Sequence, residues 1–202
     1  MRLALFGGTF DPIHDAHLAI ARAAAARFAP DRVLFIPAAH PPHKAGATHA
    51  PYEDRVRMAE LACAGEPRFE ISRLEANTPR SYSIDTIEKV RAGMGAEAEL
   101  FFIIGADAFA ELQTWRRWQD VAGAVTFLVV GRPGHAYGIP PGVRIERLDT
   151  LQLRISSSSI REALAEGRQP EGLPPAVLDY IRARGLYGAT SSPPGRLRGC
   201  AE

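Results

Sequence analysis

Cysteine is nearly absent from this 202-residue chain, which holds only Cys63 and Cys200. One falls in a helical pattern and the other in the last residues, so there is no disulfide framework and no paired spacing of thiolate metal ligands. A reducing, cytoplasmic compartment is the expectation. No apolar stretch approaches the roughly 18 residues that mark a membrane span. The opening residues enter a strand pattern with no charged-then-apolar leader, so neither insertion nor export is expected. Net charge is scarce too, at +1, which provides no field for gripping a nucleic-acid backbone. Any basic group that matters should act locally, on a small anion. Lysine is the scarcest cation: of 24 basic residues only Lys44 and Lys89 are lysine, and Lys44 stands in a loop among prolines and histidines.

Apolar residues, at 46%, suffice for one domain with a full core. Short β-branched or aromatic runs near 2–6, 32–36, 68–72, 99–104, 125–131 and 143–147 alternate with helical patterns near 16–28, 52–64, 83–92, 107–122, 157–166 and 174–184. That alternation predicts a single-domain α/β fold, a doubly wound and mainly parallel sheet flanked by helices. The run Leu100-Phe101-Phe102-Ile103-Ile104 has no polar alternation and suits a central strand covered on both faces. In such a sheet ligands bind beyond the carboxyl ends of the strands. The segments that matter are then those following strands: 7–17, 37–50, 73–86 and 105–118. Beyond residue 188 the chain is rich in Gly, Ser, Pro and Arg with almost nothing apolar, and 189–202 are expected to be a disordered tail.

Residues 7 to 17, GGTFDPIHDAH, join the first strand to an alanine-rich helix. A helix N-terminus offers unpaired N–H groups and a partial positive charge, and glycines let backbone approach an anion. His14 and His17 are three apart, which turns both imidazoles to one side; each can donate to phosphate oxygens. A four-histidine metal site with His40 and His43 is an alternative, but it lacks thiolates, and the prolines and Lys44 suit an anion better. At the far end ISSSSIR, residues 155 to 161, places four serines and Arg161 at a helix start. One serine caps a helix; four with an arginine point to hydroxyls, amides and a guanidinium converging on an anion. Asp107 and Ser83 read as helix caps by default. Trp115 beside Arg116 and Arg117 could stack on an aromatic ring.

With both ends in view, the chain resembles the nucleotidyltransferase superfamily with HxGH and ISSxxIR-type signatures, and within it the bacterial nicotinate-nucleotide adenylyltransferases, over about residues 1 to 188. PPHK at 41–44, SYSIDT at 81–86 and GAD followed by Trp115 carry the nicotinate branch. The resemblance implies a Rossmann-like fold and transfer of AMP from ATP to nicotinate mononucleotide. The products are nicotinate adenine dinucleotide and pyrophosphate, made during NAD synthesis, with Mg²⁺ carried on ATP and no resident metal. It implies catalytic roles for His14, His17, Lys44 and Arg161. ATP would lie against Gly7, Gly8, Thr9, Phe10, His14, His17, Gly105, Asp107, Ile155, Ser156, Ser157 and Arg161. Nicotinate mononucleotide would lie against Thr9, Lys44, Ser83, Thr86, Trp115 and Arg116, with the amides of Thr86 and Arg116 taking its carboxylate. A homodimer is compatible with the resemblance. The chain departs from the pattern at Ala16, where the signature has glycine, and at Arg116, where many relatives carry an aromatic residue. A nucleotide-binding regulator without turnover is the alternative that Ala16 raises.

Overall fold

The computed structural model describes residues 1 to 41, 48 to 95, 98 to 131, 137 to 149 and 155 to 189. Six strands, β1 (Arg2–Gly8), β2 (Arg32–Pro37), β3 (Phe69–Ile71), β4 (Glu99–Gly105), β5 (Thr126–Gly131) and β6 (Ile145–Asp149), form one sheet in the order β3-β2-β1-β4-β5-β6. Every adjacent pair is parallel. The chain starts at the middle of the sheet, winds outward to β3, then returns to β4 beside β1 and winds out the other way. This is the doubly wound, Rossmann-like α/β order, and the reversal between β1 and β4 opens a crevice at their carboxyl ends.

Two apolar layers cover the sheet because alternate strand residues point to opposite faces. Ala4, Phe6, Val33, Phe35, Phe101 and Ile103 pack with α1 (Asp15–Phe28), α2 (Tyr52–Cys63), α6 (Ser157–Ala165) and α7 (Pro175–Arg184). Leu5, Leu34, Ile36, Phe102, Ile104 and Phe127 pack with α3 (Ser83–Ala92), α4 (Ala106–Ala110) and α5 (Trp118–Ala124). The central strand β4 is buried on both faces from Leu100 to Ile104, as its unbroken apolar run predicts. In α1 the buried stripe is Leu18, Ala21 and Ala24, of which the two alanines present little bulk to the sheet.

Two sequence expectations are corrected. The helical pattern over 107–122 is broken into α4, a 3₁₀ turn at Leu112–Thr114 and α5. Thr114 donates both its amide (2.9 Å) and its hydroxyl (2.8 Å) to the Glu111 carbonyl, a local bond that competes with helix continuation. Trp115 is then extended and Arg117 left-handed (φ 52°), which sets the Trp115 ring edge-on to Phe102 at 6.0 Å. The last strand lies two residues later than its pattern predicts. At the carboxyl end Ala189 is buried, and 190–202 lie outside the described residues.

Candidate active site

The crevice above β1 and β4 gathers segments from both ends of the chain. Gly7 and Gly8 end β1. The space where a Gly8 side chain would stand is closed by the Phe10 ring, 3.0 Å from an ideal Cβ, so any larger residue there would have to push that ring aside. Phe10 itself is left-handed (φ 48°) and 1% exposed. It therefore forms the floor under the site, packing edge-on against His17 at 5.1 Å, and offers no open surface to a nucleotide.

His14 caps α1 and His17 occupies the helix's third position. Their rings stack at 3.8 Å, which places both imidazoles on one side as their spacing predicts. The His14 amide donates to His17 Nδ1 at 3.2 Å. A nitrogen that accepts carries no proton, so neutral His17 bears its hydrogen on Nε2, and that nitrogen is the donor. His14 is 5% exposed and its buried Nδ1 has no hydrogen-bond partner among the described residues, an orphan of the kind that calls for a ligand. Burial lowers the His14 pKa from 6.5 to about 4, and burial, followed by the neighbouring His14, lowers that of His17 well below 6.5. Both rings are thus neutral at pH 7. Ala16 lies in α1, where a methyl group is tolerated without backbone strain.

The serine motif joins this pair directly. Ser156 caps α6 by a reciprocal bond with Ser159. The Ser157 hydroxyl donates to the Pro12 carbonyl at 2.9 Å, and Arg161 Nη1 donates to the Asp11 carbonyl at 2.7 Å. Motifs about 145 residues apart in sequence thus share one rim. Ile155 fills the space over Gly172, whose absent Cβ would lie 2.3 Å from Ile155 Cδ1, and the Gly172 carbonyl accepts the first amide of α1, that of Asp15, at 2.9 Å. These hydroxyls, the guanidinium and the start of α1 are thereby held at one rim of the crevice.

On the far side of β4, Gly105 caps α4 with open space around its α-carbon, and Asp107 lies in the first turn, not at the cap. Tyr82, not Ser83, caps α3. The Thr86 amide donates to the Tyr82 carbonyl at 3.2 Å, the first complete turn of the helix, and its hydroxyl donates to Glu75 Oε1 at 2.6 Å. Thr86 is therefore internally engaged. The amides left over by helix geometry are those of Ser83, Ile84 and Asp85. Arg116 lies over the Tyr82 ring at 4.8 Å and 3.5 Å from Asp85, so Trp115, Arg116 and the start of α3 form one cluster. Lys44 and His43 lie outside the described residues.

Two buried residues at the site, Arg55 and Asp11, escape sequence reasoning. Arg55 donates to the carbonyls of Thr9 (2.7 Å), Ala38 (2.8 Å) and Ala50 (3.2 Å), tying together the turns after β1 and β2. Asp11 accepts from the amides of His49 and Ala50 and from the Tyr187 hydroxyl. In the sequence Arg55 reads as an exposed charge on an amphipathic helix and Asp11 as a turn residue; only packing shows otherwise.

The cytidylyltransferase-like family model matches residues 5–163. The chain is similar to a protein of Solibacter usitatus named "Probable nicotinate-nucleotide adenylyltransferase", 70% identical over 187 residues, spanning 93% of this chain and all of that one. A protein of the same name from Thermus thermophilus is 44% identical over 189 residues, again spanning 93% of this chain and all of that one. Among solved structures, the fold is similar to that of Plasmodium falciparum nicotinic acid mononucleotide adenylyltransferase complexed with NaAD. The TM-score is 0.75 at 17% identity, over 95% of this chain and 99% of that one. The chain is an enzyme of the nucleotidyltransferase class and belongs to the nicotinate-nucleotide adenylyltransferase family.

Proposed function

We propose that this protein transfers AMP from ATP to nicotinate mononucleotide, releasing pyrophosphate and forming nicotinate adenine dinucleotide. The observation that carries the reading is the junction of the histidine pair with the serine motif through Ser157 to Pro12 and Arg161 to Asp11. It sets donors for an α-phosphate next to a cation for the phosphates beyond it.

The attacking group is a phosphate monoester, already anionic, so the reaction needs no strong base and no covalent enzyme intermediate. The oxygen of nicotinate mononucleotide attacks the α-phosphorus in line as pyrophosphate departs from the opposite side. His17 Nε2–H donates to a non-bridging α-phosphate oxygen, where charge accumulates during displacement. His14 contacts the same phosphate, and Arg161 with Ser156 and Ser157 holds the leaving pyrophosphate; Lys44 is assigned to the phosphates by its place in the PPHK motif alone. Among the described residues no group of three or more His, Cys, Asp or Glu is placed to hold a metal ion. Magnesium enters in this reading as part of the ATP substrate. The adenosine rests on the Gly105–Asp107 side and beside Ile155. The nicotinate ring stacks on Trp115, its carboxylate received by Arg116 and the first-turn amides of α3, with Thr86 bracing that turn through Glu75.

The working unit is residues 1 to 188, acting in the cytoplasm, with a homodimer compatible and no nucleic-acid or membrane partner. No helix among the described residues is long and apolar enough to cross a membrane. Pyrophosphate release from pure protein, ATP, Mg²⁺ and nicotinate mononucleotide tests the reaction. Turnover is expected, and it should fall sharply when nicotinamide mononucleotide or phosphopantetheine replaces the nicotinate substrate. Absence of pyrophosphate with the nicotinate substrate refutes the proposal.

A further inference from the structure

Asp11 holds more of the site together than its place in a turn requires. Its carboxylate, in a residue 3% exposed, accepts three donors: the His49 amide at 2.7 Å, the Ala50 amide at 3.1 Å and the Tyr187 hydroxyl at 2.7 Å. These come from the segment entering α2 and from the turn that follows α7, regions 38 and 176 residues away in sequence. Arg55, buried beside it, interacts with the carboxylate's charge and binds the carbonyls of Thr9 and Ala50 on either side. Three converging donors hold the Asp11 carboxylate, and through it restrain the α-carbon that carries the Asp11 carbonyl. The carbonyl of that same residue is the acceptor for Arg161 Nη1 at 2.7 Å. Among the described residues the guanidinium's second nitrogen donates to Ser158 Oγ at 3.3 Å.

We propose that Asp11 is a positioning residue for Arg161: the His49, Ala50 and Tyr187 bonds fix the Asp11 carbonyl, and that carbonyl aims the guanidinium at the β and γ phosphates of ATP. The assignment rests on reading Arg161 as a phosphate-binding group. A feature of the fold remote from the chemistry, the closing turn at Tyr187, thereby sets the grip on the leaving pyrophosphate. The acid is suited to this because it only accepts, whereas its amide counterpart would oppose one of the amide donors with an N–H of its own.

The test compares Asp11→Ala, Asp11→Asn and Tyr187→Phe by steady-state pyrophosphate release and by calorimetric binding of pyrophosphate, which needs no turnover. Losing the network should raise the ATP Michaelis constant and weaken pyrophosphate binding by about tenfold in Asp11→Ala. Asp11→Asn and Tyr187→Phe, each losing one bond, should shift both by about threefold. The Michaelis constant for nicotinate mononucleotide should move by less than about twofold, since Arg161 does not face that substrate. Tyr187→Phe removes one oxygen and serves should Asp11→Ala fail to fold. Equal shifts for both substrates, or pyrophosphate binding unchanged in the folded variants, would show Asp11 to be merely structural. Should the wild type bind pyrophosphate more tightly than the variants yet release none from the two substrates, the positioning role stands and the proposed reaction falls.

Discussion

Acidification from pH 7 to 5 should destabilise this protein through the histidines of its own site. The buried His14 ring has its pKa lowered from 6.5 to about 4, with desolvation as the main cause. Between those values the unfolded chain binds a proton that the folded chain refuses, so stability is complete above pH 6.5, falls as pH drops through that value, and stops falling below pH 4. At pH 5 the unfolded ring is almost fully protonated and the folded one is not, a loss of about 2 kcal/mol that approaches about 3 at the acid limit. His17 shifts the same way and adds to the loss. Urea unfolding at pH 7 and 5, on wild type and on His14→Gln, reads the contribution of His14 together with the part of the His17 shift that its neighbour causes. Wild type should lose about 2 kcal/mol more than the variant between the two pH values. Equal losses would refute the account and show that the ring is hydrated in the folded protein.

Two substitutions test the site further. His17→Ala should lower kcat by about a hundredfold with little change in the ATP Michaelis constant. His17→Gln, which carries an N–H near the Nε2 position, should recover part of that loss, and kinetics showing Gln no better than Ala would contradict the Nε2 donor. Trp115→Ala should raise the Michaelis constant for nicotinate mononucleotide severalfold, since ring stacking contributes about 1 kcal/mol. An equal rise for ATP would show the indole to be only a neighbour of Phe102.

Adjacent residues show where sequence reading stops. His14 and His17 are legible because a three-residue spacing at a helix start fixes their side of the helix before any fold is known. Ser156 to Arg161 are legible because four serines exceed what a cap uses. Phe10, adjacent to the glycines, looks as if it lines the site and is instead its floor, a burial that depends on Gly8 being vacant enough to seat its ring. Thr86 matches its motif, yet in the helix that the pattern places over 83–92 its amide is the first to find an intrahelical carbonyl, that of Tyr82, a bond the motif by itself does not display.

Local chemistry and periodicity thus determined the parallel α/β class and displayed the histidine and serine motifs that are proposed to meet a triphosphate. Those properties depend on neighbours within a few positions, which a sequence displays. Tertiary structure alone decided that the helical pattern over 107–122 breaks to turn Trp115 onto Phe102, that Arg55 is buried against three carbonyls, and that Asp11 joins Tyr187 to Arg161. Each of these depends on which distant segment supplies a carbonyl, a hydroxyl or an apolar ring. The two motifs could be recognised singly in the sequence; their meeting at Pro12 and Asp11 required the sheet to bring residues 12 and 157 to the same rim.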